Sequence, residues 1–131
     1  MPTLYLIRGL PGAGKTSLAR SLSNATRYYY EADQFFVDGD TGEYLFDPSK
    51  LHAAHSWCQK MARRELEAGF DCVVSNTSTT ELEVETYAKI AEEAGAKFVS
   101  IIVENRHGGT NIHNVPPEKI EQMRKRFSVK L

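Results

Sequence analysis

The chain has 131 residues, of which 41% are hydrophobic and 25% charged, and a formal net charge of −1. That length and balance suit one globular domain with a single core over residues 1–131, and they exclude an intrinsically disordered chain. The near-neutral charge argues against a general nucleic-acid-binding surface, but leaves room for a local basic channel. Beyond Asn105, the residues Arg106, Lys119, Arg124, Lys125, Arg126 and Lys130 outweigh Glu118 and Glu121.

In chain order, the apolar run Thr3-Leu4-Tyr5-Leu6-Ile7-Arg8 reads as a first strand. It leads into Gly9-Leu10-Pro11-Gly12-Ala13-Gly14-Lys15-Thr16, which fits the phosphate-binding pattern G-x-x-x-x-G-K-S/T. Glycines let the backbone wrap a phosphate with successive N–H groups pointing inward, and the following helix adds its positive end. The helix is expected from Gly14 to about Asn24, with Leu18 and Leu22 toward the core. Gly9, Pro11, Gly12, Ala13, Gly14, Lys15, Thr16 and Ser17 are therefore the expected nucleotide contacts. Lys15 would reach the β- and γ-phosphates, and Thr16 would ligate Mg²⁺.

Arg27-Tyr28-Tyr29-Tyr30-Glu31 predicts a second strand ending at Ala32-Asp33, which places Asp33 at the strand's carboxyl end, where open parallel sheets bind ligands. Phe35-Phe36-Val37 and Glu43-Tyr44-Leu45-Phe46 flank Asp38-Gly39-Asp40-Thr41-Gly42, the pattern of a small hairpin or apolar flap. Asp38, Asp40 and Gly42 do not make a calcium loop, because the glycine and glutamate that such a loop requires are absent from their places. Asp47-Pro48 predicts a helix start, and Leu51, Ala54, Cys58, Met61, Ala62 and Leu66 make an apolar stripe that ends before Gly69. His52 and His55 on this helix have no third ligand nearby in sequence and read as surface or capping residues.

Residues 70–75 predict a third, doubly covered strand, followed by Asn76-Thr77-Ser78-Thr79 at its carboxyl end. Thr80 with Glu83 forms a capping-box pattern for a helix to about Ala94, and residues 96–103 predict a fourth strand. Residues 105–115 read as a mobile polar loop. Pro116-Pro117 then opens a last helix with Ile120, Met123 and Phe127 on its apolar face. Strands alternating with helices predict a small three-layer α/β/α fold of the P-loop NTPase class, with a mainly parallel sheet and a lid loop. Cys58 and Cys72 lack metal-ligand spacing and are expected as reduced, buried thiols. No apolar run is long enough for a membrane span, and no leader precedes Thr3, so a cytoplasmic protein is expected.

A phosphate loop alone permits ATPases, GTPases and kinases. The chain has no Asn-Lys-x-Asp guanine-reading motif, and its candidate third strand ends in Ser75-Asn76 rather than an acidic pair, so a kinase fits best. The phosphate loop, Glu31-Ala32-Asp33 before Phe35-Phe36, Ser75-Asn76-Thr77-Ser78, Asn105-Arg106 and Asn111-Ile112-His113-Asn114-Val115-Pro116 together resemble the polynucleotide 5′-hydroxyl kinase family. They are similar to the bacteriophage polynucleotide kinases and closer to the polynucleotide-kinase-like domain of animal ubiquitin-ligase-binding proteins, a likeness that includes the segment from Phe46-Asp47-Pro48 through Trp57-Cys58-Gln59.

The resemblance implies ATP and Mg²⁺ as cofactors and a nucleoside triphosphate donor. It also implies catalytic roles for Lys15, for Asp33 as acceptor of the attacking hydroxyl's proton, and for Arg106 as a lid arginine over the transferred group. Asn76 and Thr77 match the acceptor-contacting segment, though capping the next helix would also explain them. Asp33 could instead be a turn residue, and Arg106 could simply pair with Glu104. Phe36 stands where the phage enzymes have a basic acceptor contact, and Ser75 where many relatives have Asp. The aromatic flap at Phe35, Phe36 and Tyr44 could stack a base or pack on the core.

The expected function is ATP-dependent phosphoryl transfer to a hydroxyl, first of all the 5′-hydroxyl of a single-stranded nucleic acid. The alternatives are a kinase of a small hydroxyl compound, nucleoside or modified base, and a non-catalytic ATP-binding module.

Overall fold

The computed structural model describes residues 1–106 and 115–131. The expected lid loop at 105–115 lies for its larger part, 107–114, outside the described residues. β1 (Thr3–Arg8) pairs in parallel with β3 (Asp71–Ser75) on one side and β4 (Lys97–Ile102) on the other, and β2 (Arg27–Tyr30) pairs with β3. The order β2-β3-β1-β4 puts the two most apolar strands in the middle, where both faces are covered. Ile7 lies opposite Ser75, and Arg8 opposite Ile102. The chain therefore leaves β1, β3 and β4 at the same edge of the sheet.

Alternation along β1 sorts its side chains. Leu4 and Leu6, both fully buried, face the layer of α2 (Leu51–Glu67) and α3 (Glu81–Glu93), where they join Cys58, Leu66, Tyr87 and Ile90. Ile7 on the opposite face packs with Val73 and Ala19 of α1 (Lys15–Leu22). Burying each of these leucines is worth roughly 1.5–3 kcal/mol. Helix starts follow the expected chemistry: Asp47 Oδ1 accepts from Ser49 N at 3.0 Å, and Thr80 Oγ1 accepts from Glu83 N at 3.3 Å. Glu83 reaches back to Thr79 N at 3.1 Å. α2 is preceded by a short 3₁₀ turn, Pro48–Lys50. α4 (Pro117–Arg126) half-buries Ile120 and Met123, with Phe127 just past its end, and has no fully buried residue. Cys58 and Cys72 are free and buried.

Two segments differ from expectation. β2 stops at Tyr30, and Ala32–Phe36 is a 3₁₀ helix, so Asp33 sits in a turn beyond the strand rather than at its last position. The physical reason is a local pair: Gln34 N bonds to the Glu31 carbonyl at 3.1 Å, and Glu31 N donates to Gln34 Oε1 at 3.2 Å. The flap is not a ladder of strands. A single bridge, Val37 to Tyr44, is closed by Asp38 N to Glu43 O and Leu45 N to Phe36 O, each at 2.8 Å.

Arg8 continues the Leu4-Leu6 face and is 3% exposed. Its guanidinium donates to Ser78 O at 2.8 Å and Ser128 O at 2.6 Å and lies 4.8 Å from the Phe127 ring. Backbone carbonyls thus satisfy this buried cation. Ser128 N donates to Thr79 O, and Arg126 Nε to Thr79 Oγ1, so the end of the described chain is tied across the tip of β1.

Candidate functional site

The loop between β1 and α1 is built for close approach. A Cβ on Gly9 would lie 2.9 Å from the backbone oxygen of Val103, so the loop can leave β1 beside β4 only with glycine there. Gly9→Ala should force the strand end aside at a cost of roughly 1–3 kcal/mol. Thermal unfolding reads it, and an unchanged melting temperature would show that Val103 yields freely.

Further along, Gly12 and Gly14 take φ of 85° and 97°, a left-handed backbone that side chains rarely adopt. Ala13 N bonds back to Leu10 O at 3.1 Å and the Ala13 side chain is buried, so the loop folds over itself. Gly14 caps α1 without a side-chain hydrogen bond at the cap, which leaves the helix's first N–H groups and positive end for an anion. Pro11 is half-buried, and Ser17 is exposed on the first turn.

Lys15 and Thr16 point into a ring of polar groups. Lys15 Nζ donates to Leu10 O at 2.9 Å. Burial lowers its pKa from 10.5 to about 8, and the charges of Glu31 and Asp33 partly oppose that. The fields of both carboxylates therefore reach the ammonium. The Thr16 hydroxyl donates to Glu31 Oε2 at 2.8 Å. That bond uses the proton of Thr16 and leaves oxygen lone pairs for a hard cation, so the donor set fits an Mg²⁺ carried mainly by nucleotide phosphates. Among the described residues no group of three or more His, Cys, Asp or Glu could hold a metal by itself.

On the β2 and β3 side, half-buried Asp33 accepts from Tyr44 OH at 3.0 Å. Burial, with the charge of Asp33 added, pushes the Tyr44 phenol above its usual range, so it stays a donor. Asn76, expected at the acceptor, is 8% exposed, and its Oδ1 accepts from Ala32 N at 2.9 Å. The amide is engaged in the interior, tethering the turn that carries Asp33. Thr77 is half-buried beside it. Phe36, also expected at the acceptor, is 5% exposed and packs with Ala32 and Ala54. The rings that reach the surface are those of Tyr44 and Phe46, stacked at 6.2 Å and 11°, with Phe35 nearby.

Arg106 is exposed at the β4 edge, and its guanidinium bonds to Glu104 at 2.8 Å. On the same flank lies a cavity of about 190 Å³, lined by Gly9, Leu10, Ala13, Val103, Glu104 and Phe127. A larger groove of about 510 Å³ between α2 and α3 touches none of the loop residues. The structure thus brings Lys15, Thr16 and Asp33 to one place and sets Arg106 on the opposite flank.

Sequence reasoning placed Tyr44 in the aromatic flap but missed its bond to Asp33, and it missed the role of Glu31. The Glu31-x-x-Gln34 spacing was a usable signal for the turn; nothing local pointed to the Tyr44 bond. His55 on α2 is half-buried, and burial lowers its pKa below 6.5 against the fields of Glu83 and Asp33, which keeps the imidazole neutral at physiological pH. Among the described residues no helix is long and apolar enough to cross a membrane.

The family described as AAA domain matches residues 4–129. Human NEDD4-binding protein 2 is 31% identical over 130 residues, which is 92% of this chain and 7% of that protein. The chain therefore spans only a small part of this curated relative's length. Among solved structures, a candidate kinase from Chloroflexus aurantiacus superposes with a TM-score of 0.69 at 19% identity, over 96% of this chain and 76% of that one. A chain of the Pnkp1/Rnl/Hen1 RNA repair complex gives 0.63 at 17%, over 95% and 37%. Chaetomium thermophilum Kti12, solved with ADP-AlF3, gives 0.58 at 16%, over 96% and 80%. These likenesses establish the P-loop fold.

Proposed function

The chain belongs to the AAA-domain family of P-loop kinase-like proteins, and from that premise we propose that it transfers the γ-phosphoryl group of ATP to the 5′-hydroxyl of a nucleic acid. The observation that carries this reading is one sheet edge that holds both the phosphate loop with Lys15, open at the start of α1, and the turn carrying Asp33, which the Thr16–Glu31 bond ties to that helix. A cation for the transferred group and a carboxylate for the acceptor are the two charges that the reaction needs.

In this reading the loop amides and Lys15 hold the β- and γ-phosphates, and Thr16 would hold the Mg²⁺, which when bound neutralises phosphate charge. Asp33 orients the acceptor hydroxyl. As its oxygen bonds to the γ-phosphorus, the bond to the β–γ bridging oxygen breaks, ADP leaves, and the hydroxyl proton passes to the Asp33 carboxylate. Arg106 exchanges Glu104 for the oxygens of the transferred group. The Tyr44 and Phe46 rings, exposed and nearly parallel, give the acceptor's base a surface to stack on. Thr77 lines the acceptor side, and the 190 Å³ cavity on the β4 flank takes the donor's base. The RNA repair complex among the neighbours and the match to part of NEDD4-binding protein 2 support this reading without supplying a substrate.

Burial of Phe36 favours a second reading. Where a charged acceptor contact was expected, the chain has a core residue, which suits a small hydroxyl compound or nucleoside without a phosphate on that side.

Incubation with ATP labelled in the γ-phosphate and a 5′-hydroxyl oligonucleotide, over a range of Mg²⁺, should place label on the oligonucleotide. Label appearing only on nucleosides or small hydroxyl compounds would establish the second reading. ATP binding that Lys15→Ala abolishes, with transfer to no acceptor, would make the chain a binding module.

A further inference from the structure

A nucleotide-bound cation at Thr16 needs negative charge nearby, and the end of β3 does not provide it. Ser75 is 3% exposed, and among the described residues its Oγ has no hydrogen-bond partner. One strand further out the register supplies a carboxylate. β2 and β3 run parallel with Tyr30 opposite Val74, so Glu31 follows Tyr30 as Ser75 follows Val74. The two residues are neighbours across the sheet edge, and Glu31 Oε2 accepts the Thr16 hydroxyl proton at 2.8 Å.

We propose that Glu31 is the positioning residue of the cation subsite: it orients the Thr16 hydroxyl and places a negative charge beside the divalent cation of the bound nucleotide, where β3 offers only Ser75. The proposal rests on the nucleotide half of the function given above and not on the acceptor. Its chemistry is that of an outer partner. A hydroxyl whose proton is held by a carboxylate is a better oxygen donor to a hard cation, and its rotation is fixed. Glu31 is itself held in place by the backbone pair with Gln34, so the carboxylate projects from a closed turn.

The test needs no phosphoryl transfer. Mn²⁺ is titrated into the full chain saturated with ADP, with binding followed by electron paramagnetic resonance, and ADP alone is titrated in EDTA. Glu31→Gln keeps the shape and the turn; it should weaken Mn²⁺ binding ~10-fold or more. ADP affinity in EDTA should hold or rise, because a like charge has left the neighbourhood of the phosphates. Adding Ser75→Asp to Glu31→Gln should recover part of the Mn²⁺ affinity by returning a carboxylate from the next strand.

Mn²⁺ affinity within about twofold of wild type in Glu31→Gln would overturn the proposal, since an outer partner of this kind carries more. So would a parallel loss of ADP affinity in EDTA, which would make Glu31 a shaper of the loop alone. Wild type that binds no ADP in either condition would overturn the nucleotide reading and this inference together. Normal cation effects with no transfer to any oligonucleotide would leave the inference standing and remove only the acceptor.

Discussion

Asp33→Asn should lower phosphoryl transfer by ~10²-fold or more while leaving ATP affinity nearly unchanged. Asparagine keeps the size of the side chain and an oxygen that can still accept from Tyr44 OH, the bond made at 3.0 Å by the wild-type carboxylate. It cannot take a proton from an attacking hydroxyl. The 3₁₀ helix that carries residue 33 is held by Glu31 with Gln34 and by the Asn76 amide on Ala32 N, none of which involves the Asp33 side chain. The substitution therefore separates chemistry from folding, and steady-state turnover beside ATP binding measured by calorimetry shows the split. Both are best compared near pH 7, because Asp33 helps keep Lys15 protonated and its removal weakens that support. Equal turnover in the two proteins would take Asp33 out of the mechanism and leave it a turn residue.

What the sequence made readable divides along a physical line. The phosphate loop was legible because its requirements are local: left-handed backbone at Gly12 and Gly14, close approach at Gly9, and a helix starting at once behind them. The same holds for β1 and β3, whose apolar runs can only be buried, and for the helix starts at Asp47 and Thr80, whose caps lie within a few residues. The burial of Arg8 was also implicit, since a period of two puts it on the face of Leu4 and Leu6.

Contacts between chain segments that meet only at the sheet edge were not legible. Glu31 finds Thr16 15 residues away, Tyr44 finds Asp33 across 11, and Asn76 finds Ala32 N across 44. The first and last depend on the parallel register of β2, β3 and β1, and the second on the flap bridge between Val37 and Tyr44, none of which a local pattern prints. Phe36 shows the cost of a wrong local reading. Taken as part of an extended flap it could face a ligand, but on a 3₁₀ helix it turns into Ala54 of α2. Two residues assigned to the acceptor by resemblance, Phe36 and Asn76, are thus placed inside the protein, and the acceptor side proposed above rests on Asp33, Tyr44, Phe46 and Thr77.

Lys15 should make nucleotide binding pH-dependent with a definite sign. In the free protein its pKa is lowered to about 8, with burial as the largest cause. A triphosphate brings negative charge to the ammonium and raises the pKa again, so the complex binds more protons than its parts. Affinity for ATP should then fall as pH climbs above 8, by up to about tenfold per pH unit while one proton is taken up. Calorimetry at pH 8.5 in two buffers of different ionisation enthalpy should register that uptake directly. Lys15→Met should abolish the uptake and weaken ATP binding by about 10²-fold, the order expected when one partner of a buried charge pair is removed.

The linkage has a second, opposite face in folding. The unfolded chain holds the Lys15 proton up to the usual 10.5, so it binds more protons than the native state between pH 8 and 10.5, and the contribution of Lys15 to stability rises across that window. Free protein should therefore gain from alkali at this residue just where the nucleotide complex loses. In Lys15→Met both trends should vanish together, because a single buried ammonium drives the two.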